Sequence, residues 1–155
     1  TYNHARFDYN PDDGLYYRSQ YGGAQVDGNT GNQLAYKNII LQYCSWEDFD
    51  ENGYLNIDPV SGGAGKFITN GKAIDITWEK ENYNPDSELY CTIDSQLSHV
   101  EVHADDFNVT RYYDANGNQI TLNPGKIWVC IILDSDADRI VISDDPTISS
   151  DVIDY

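Results

Sequence analysis

The densest run of side chains able to do chemistry is Ser98-His99-Val100-Glu101-Val102-His103-Ala104-Asp105-Asp106. Successive side chains of a strand point to opposite faces, so an extended backbone here puts His99, Glu101 and His103 on one face and Val100 and Val102 on the other. Two imidazoles and a carboxylate can hold zinc or another divalent ion with a position left open, and Asp105 or Asp106 would add a ligand or orient one. The plainer alternative is a solvated strand face in an acidic protein. Two further carboxylate clusters suit calcium. Asp48-Phe49-Asp50-Glu51-Asn52-Gly53 matches the opening of an EF-hand loop, but Pro59 stands where the closing bidentate glutamate is needed, so a hairpin tip explains it better. Asp134, Asp136 and Asp138 alternate before Arg139 and form either a loop for a hard cation or a polar turn.

Other chemistry is poorly supported. Gly62-Gly63-Ala64-Gly65-Lys66 has the wrong glycine spacing for a phosphate loop, Phe67 replaces the magnesium-binding hydroxyl, and a strand follows instead of a helix, which leaves a turn or bulge. His4, His99 and His103 are the only histidines, and none sits in a nucleophile elbow. The 13 tyrosines carry a different expectation. Leu15-Tyr16-Tyr17-Arg18 and Arg111-Tyr112-Tyr113 place rings on both faces of their strands, so some of Tyr16, Tyr17, Arg18, Tyr112 and Tyr113 are expected at a carbohydrate or protein contact surface. Edge-strand packing with hydroxyls in water competes with that reading.

What must position these residues is a chain of turns. The 155 residues carry 9 basic and 26 acidic side chains, a net charge of -17 that argues against nucleic acid and anionic lipid as partners. Apolar residues at 40% and aromatic residues at 13% argue for a packed core. The longest apolar run, from Ile127 to Leu133, is far short of the ~20 residues of a membrane-spanning helix. Three cysteines, Cys44, Cys91 and Cys130, form at most one internal disulfide, and the apolar setting of Cys130 favours buried free thiols throughout.

Asp13-Gly14, Asp27-Gly28, Asn52-Gly53, Asn70-Gly71, Asn116-Gly117 and Pro124-Gly125 punctuate short β-branched and aromatic runs. Asn70-Gly71 between residues 66–69 and 72–80 predicts a tight hairpin, with Ile74, Ile76 and Trp78 on one face and Asp75, Thr77 and Glu79 on the other. Residues 107–113, 119–122 and 126–133 are expected as a three-stranded meander, the last strand central because it is apolar on both faces. Further strands are expected at residues 15–20, 37–46, 54–58, 88–93, 98–104 and 139–143, and no convincing helix. The fold class is therefore all-β, antiparallel hairpins and a meander in a sandwich or open barrel. One domain spans residues 1–145, with 146–155 as an acidic tail or edge segment.

The ordered set Leu15-Tyr16-Tyr17-Arg18, Val26-Asp27, Asn38-Ile39-Ile40, Gly63-Ala64-Gly65-Lys66, Asn70-Gly71-Lys72, Thr77-Trp78-Glu79-Lys80 and Leu122-Asn123-Pro124-Gly125-Lys126-Ile127-Trp128 resembles the C-terminal domain of the YerB-like lipoproteins of Gram-positive bacteria. The function of that family is not established. The resemblance spans residues 15–133 and implies an extracytoplasmic domain of the cell envelope, lipid-anchored through an upstream segment and preceded by an N-terminal domain. It brings no catalytic residues. Two departures stand out: the segment between Lys80 and Arg111 is longer than the family pattern, and Ile127 replaces a threonine, a change suited to burial. The leading expectation is thus a non-catalytic accessory or binding module for a protein or cell-wall ligand, touching membrane only through the anchor. The alternative is a metal-binding domain or metal-dependent hydrolase using His99, Glu101, His103 and Asp105, with zinc or calcium as the candidate cofactor.

Overall fold

Asn70 and Gly71 both take positive φ, 49° and 71°, and reverse the chain in two residues between β8 (Gly63–Thr69) and β9 (Lys72–Lys80). This is the expected hairpin: Ile76 and Trp78 are buried on one face while Asp75, Thr77 and Glu79 are exposed on the other. The computed structural model describes residues 5–80 and 109–145, and the backbone of residues 92–94 and 99–101. Around the hairpin it builds a five-stranded sheet with β5 (Asn38–Cys44), β12 (Thr110–Tyr113) and β13 (Ile127–Leu133), in the order β12-β9-β8-β5-β13. A smaller sheet holds β1 (Ala5–Asn10), β2 (Leu15–Gln20), β3 (Gly23–Ala24) and β4 (Ala35–Tyr36), with β3 and β4 both paired to β2. Two hairpins stand apart, β6 (Trp46–Asp48) with β7 (Leu55–Ile57), and β10 (Thr92–Asp94) with β11 (His99–Glu101).

The five-stranded sheet is covered on both faces. Ile39 and Leu41 of β5 meet Tyr16 of the smaller sheet, joined by Phe7, Trp128, Cys130 and Ile132. On the opposite face Ile40, Phe67 and Ile76 pack under Tyr112, Ile120 and Leu122. The architecture is layered, a sandwich more than a barrel, and all-β as expected. Four expectations fail. Residues 119–122 make a single bridge, Gln119 to Tyr113, and cover the sheet as irregular chain, so no meander forms. β13 is an edge strand, and it runs parallel to β5 with Ile127 opposite Asn38. Ile127 is 40% exposed, so its place in the family pattern is not explained by burial. The strand buried on both faces is β5. The strand expected at residues 139–143 is not there, Arg139 closing a 3-10 turn instead, and the tail 146–155 lies outside the described residues.

Cys44 and Cys130 are free thiols, and burial raises both pKa values, as suits structural cysteines. Cys91 lies outside the described residues. The aspartates of the turns work locally. The Asp27 carboxylate accepts the backbone N–H of Asn29 and of Thr30 and the Thr30 hydroxyl, and Asp114 accepts the backbone N–H of Asn116 and of Asn118. These bonds hold both carboxyls below the usual range, Thr30 N–H contributing most at Asp27 and Asn118 N–H most at Asp114. Unfolding restores the ordinary value of about 3.9, so the stability these turns contribute is present above that pH and drains as pH falls through the lowered folded values. Protonation also relieves the repulsion among excess carboxylates, which salt screens. In ~0.2 M salt, the thermal midpoint is expected to fall on acidification from pH 5 to pH 3, and an Asp27→Asn, Asp114→Asn double variant to flatten that slope. Equal slopes would show that the turns are not the cause.

Candidate binding surface

Several of the residues that carry the family resemblance, Tyr16, Asn38, Gly71, Asn123 and Gly125, meet at one corner. The Asn38 side chain, fully buried, donates to the Asn123 carbonyl at 2.8 Å and accepts from the Thr69 hydroxyl at 3.0 Å. Asn123 Nδ2 in turn donates to Thr69 Oγ1 at 2.8 Å. Lys37 Nζ donates to the Gly14 carbonyl, and Gly71 N–H donates to the Tyr16 hydroxyl at 2.8 Å. A Cβ on Gly71 would fall 2.8 Å from the Tyr9 ring, and one on Gly125 2.6 Å from Lys37 Cβ. The corner clamps the turn at 123–126 to the edge of both sheets. Its polar groups are consumed by each other, which makes it a structural lock.

The expected tyrosine surface largely turns inward. Tyr16 and Arg18 are 4% and 6% exposed. Alternation places both on the inner face of β2, where the Arg18 guanidinium lies 4.6 Å from the Trp128 ring centroid and 5.9 Å from that of Phe7. Tyr36 and Trp128 are in edge contact at 5.1 Å, so three rings and a cation join the layers. Tyr112 is half-buried and donates to Gln42 Oε1 at 3.0 Å. Tyr17 donates to Asp13 Oδ2 at 2.7 Å, and Tyr113 is half-buried. The five residues do not share one open face.

The candidate ion sites are described only in part. His99 and Glu101 hold alternate positions on β11, paired with Asp94 and Thr92, while His103 and Asp105 lie outside the described residues. Among the described residues no group of three or more His, Cys, Asp or Glu side chains is arranged to hold a metal ion. Asp134, Asp136 and Asp138 fall in the 3-10 turn Asp134–Arg139, where Asp136 pairs with Arg139 at 3.0 Å and Asp134 Oδ1 accepts the Ser135 N–H. Asp50 caps its own hairpin tip by accepting the N–H groups of Asn52 and Tyr54. Hydrogen bonding from Asn52 holds its carboxyl low.

The hairpin tip expected at Asp48 to Gly53 is present between β6 and β7, and what sequence reasoning missed is that its apolar side chains are open. Every residue of both strands is exposed, yet it carries large apolar side chains: Trp46 at 38% exposure, Phe49 at 73%, Tyr54 at 67%, Leu55 at 43% and Ile57 at 36%. Trp46 and Ile57 are directly opposite in the register, as are Asp48 and Leu55, so alternation sets all four on one face. Beside them a groove of about 480 Å³ is lined by Trp46, Ile57, Asp58, Pro59 and Val60 among others. Glu47, Asp48, Asp50, Glu51 and Asp58 rim the hairpin with no base between residues 46 and 58. The Trp46 indole N–H donates to Ser135 Oγ at 3.0 Å, which ties the hairpin base to the turn after β13. Grouped exposed apolar side chains with a charged rim mark a contact surface, where single ones would not.

Comparison with known proteins agrees with the fold. The family model described as "Protein of unknown function (DUF3048) C-terminal domain" matches residues 1–101. The Bacillus subtilis (strain 168) protein named "Putative lipoprotein YerB" is 26% identical over 135 residues, covering 87% of this chain and 33% of that protein. The crystal structure of YerB from Bacillus subtilis superposes with a TM-score of 0.64 at 25% identity, covering 87% of this chain and 38% of that one. The chain thus spans about a third of the relative it matches. With the family model matched over well over half its length, the chain belongs to the DUF3048 family, proteins of unknown function, and corresponds to that family's C-terminal domain.

Proposed function

We propose that this domain is a non-catalytic binding module of an envelope-anchored lipoprotein, and that it docks a basic, apolar-bearing segment of a protein partner on the β6–β7 hairpin. The observation that carries the reading is that Trp46, Phe49, Tyr54, Leu55 and Ile57 all keep more than a third of their surface exposed on that hairpin. Aromatic anchors of this kind supply most of the binding energy at protein contacts, while a rim of one charge selects the partner and speeds encounter. The net charge of -17 and the acids at positions 47, 48, 50, 51 and 58 complement lysine and arginine. The relative's name as a lipoprotein supports the outer face of the membrane as the setting.

A photo-crosslinking residue placed at Phe49 in cells, with one at Asn29 as control, tests this. The expected result is one protein adduct from position 49, absent from position 29 and weakened by high salt. Trp46→Ala is expected to reduce the yield about tenfold or more, the scale of a hot-spot loss. A glycan adduct, or equal adducts from both positions, overturns the reading.

A further inference from the structure

The edge of the five-stranded sheet beside this hairpin holds a feature that the hairpin reading does not use. Among the described residues β13 pairs with β5 alone. The Asn38 N–H donates to the Lys126 carbonyl at 3.2 Å, and backbone groups of successive strand residues point to opposite sides. Lys126, Trp128, Cys130 and Ile132 therefore direct their N–H and C=O groups toward β5. Ile127, Val129 and Ile131 direct theirs outward, away from the sheet.

The same three residues carry the exposed side chains of the strand, at 40%, 44% and 48%, while Trp128, Cys130 and Ile132 pack into the interlayer core. Among the described residues this edge thus presents unpaired donors and acceptors beside a β-branched apolar stripe. Natural edge strands are guarded by proline, inward charge, a bulge or extreme shortness. β13 is seven residues long with no proline, glycine or charged side chain in it. The charge begins just beyond its end, at Asp134, Asp136 and Asp138, in the turn whose Ser135 receives Trp46 from the hairpin.

We infer that the free edge of β13 takes an extended segment of the protein partner as an added strand, an alternating apolar and basic stretch whose cations meet the acids of the 134–139 turn and the hairpin rim. This rests on the hairpin reading for the class of partner and adds how the partner is held. Main-chain bonds to Ile127, Val129 and Ile131 would supply affinity, and the apolar stripe would set the register.

The test uses a synthetic peptide of about ten residues alternating valine and lysine, and the same peptide N-methylated at alternate residues, which keeps charge and removes ladder donors. The expected result is binding of the first peptide, slowed hydrogen exchange at the Ile127, Val129 and Ile131 amides, and at least about tenfold weaker binding of the second. Val129→Pro removes an outward donor and no bond to β5, so it is expected to fold and to lose the peptide about tenfold or more. Val129→Lys, which guards the stripe by charge without touching the backbone, is the second variant if the first is misfolded. No binding up to ~1 mM, equal binding of both peptides, or protection elsewhere than β13 overturns the inference. Loss on Trp46→Ala with none on either Val129 variant leaves the hairpin reading standing and removes the edge.

Discussion

Gly65→Ala is expected to destabilise the domain by about 3 kcal/mol or more, at the upper end of what overpacking costs. A Cβ on Gly65 would press into the Leu41 carbonyl oxygen, a backbone atom of the neighbouring strand, so no rotamer change can relieve it. The strands must part, and with them Ile40 and Phe67, opposite each other in the ladder at the centre of the second core. Gly63→Ala acts by a different route. Its Cβ would lie 2.6 Å from the Tyr43 carbonyl and 3.0 Å from the Trp78 indole nitrogen, the acceptor and donor of one 3.0 Å bond. Trp78 is 2% exposed, so displacing its ring opens the sheet face. Ala64, whose side chain is exposed on the other face, provides the control: Ala64→Val is expected to change stability by less than about 0.5 kcal/mol. Chemical denaturation of the three variants checks this, and a loss at Gly65 no larger than at Ala64 would show that the strands close without the glycine.

The second large effect is expected at Asn38. Asn38→Leu keeps the branched shape and leaves the Asn123 carbonyl and the Asn123 N–H without their side-chain partner in a buried site. Each stranded group costs about 1–3 kcal/mol, so a loss of about 3–5 kcal/mol is expected, with lower cooperativity as the 123–126 turn comes free. Asn38→Asp separates shape from charge. It retains the acceptor but buries a carboxylate against the Asn123 carbonyl, and such a carboxyl has its folded pKa raised. Its penalty is therefore largest at neutral pH and shrinks as pH falls through that raised value, opposite in sign to the acid loss expected from Asp27 and Asp114. Denaturation midpoints of Asn38→Asp and the parent at pH 7 and pH 4.5 should converge on acidification. A gap of constant size would place the damage in geometry, not charge.

These two sites also mark how far the sequence could be read. The hairpin at Asn70-Gly71 was legible because turn chemistry and alternation agree over residues 66–80. The strand buried on both faces was not, because β5 carries Asn38 and Gln42 at inward positions, paired with Asn123 and Tyr112 that lie far along the chain. Polar residues satisfied by distant partners look like surface residues in a local pattern. β13 looks central for the converse reason: its outer side chains are apolar without being covered. Its parallel pairing with β5 joins segments about 90 residues apart, and no local signal carries that. Arg18 misled through its charge, which is screened by aromatic faces and not by water. At the candidate surface the error ran the other way. Trp46 and Ile57 have the composition of a core, and only their placement on a projecting hairpin shows them to be open. β1 went unread although its alternation was legible, with Ala5, Phe7 and Tyr9 on one face and Arg6, Asp8 and Asn10 on the other.

The three tryptophans of the chain are distributed one to each level of the architecture. Trp78 lies within the five-stranded sheet's buried face, Trp128 between the two sheets beside the Arg18 cation and the Cys130 thiol, and Trp46 on the open hairpin. Nature has thus supplied an optical reporter for each event the domain can undergo. Emission from Trp46 alone should shift when a ligand covers the hairpin. Trp128, dimmed by its thiol neighbour, should brighten when the layers part, and Trp78 should redden only when the larger sheet itself comes undone. Single-tryptophan versions, with phenylalanine at the other two positions, would let one fluorimeter distinguish docking, delamination and global unfolding in the same sample.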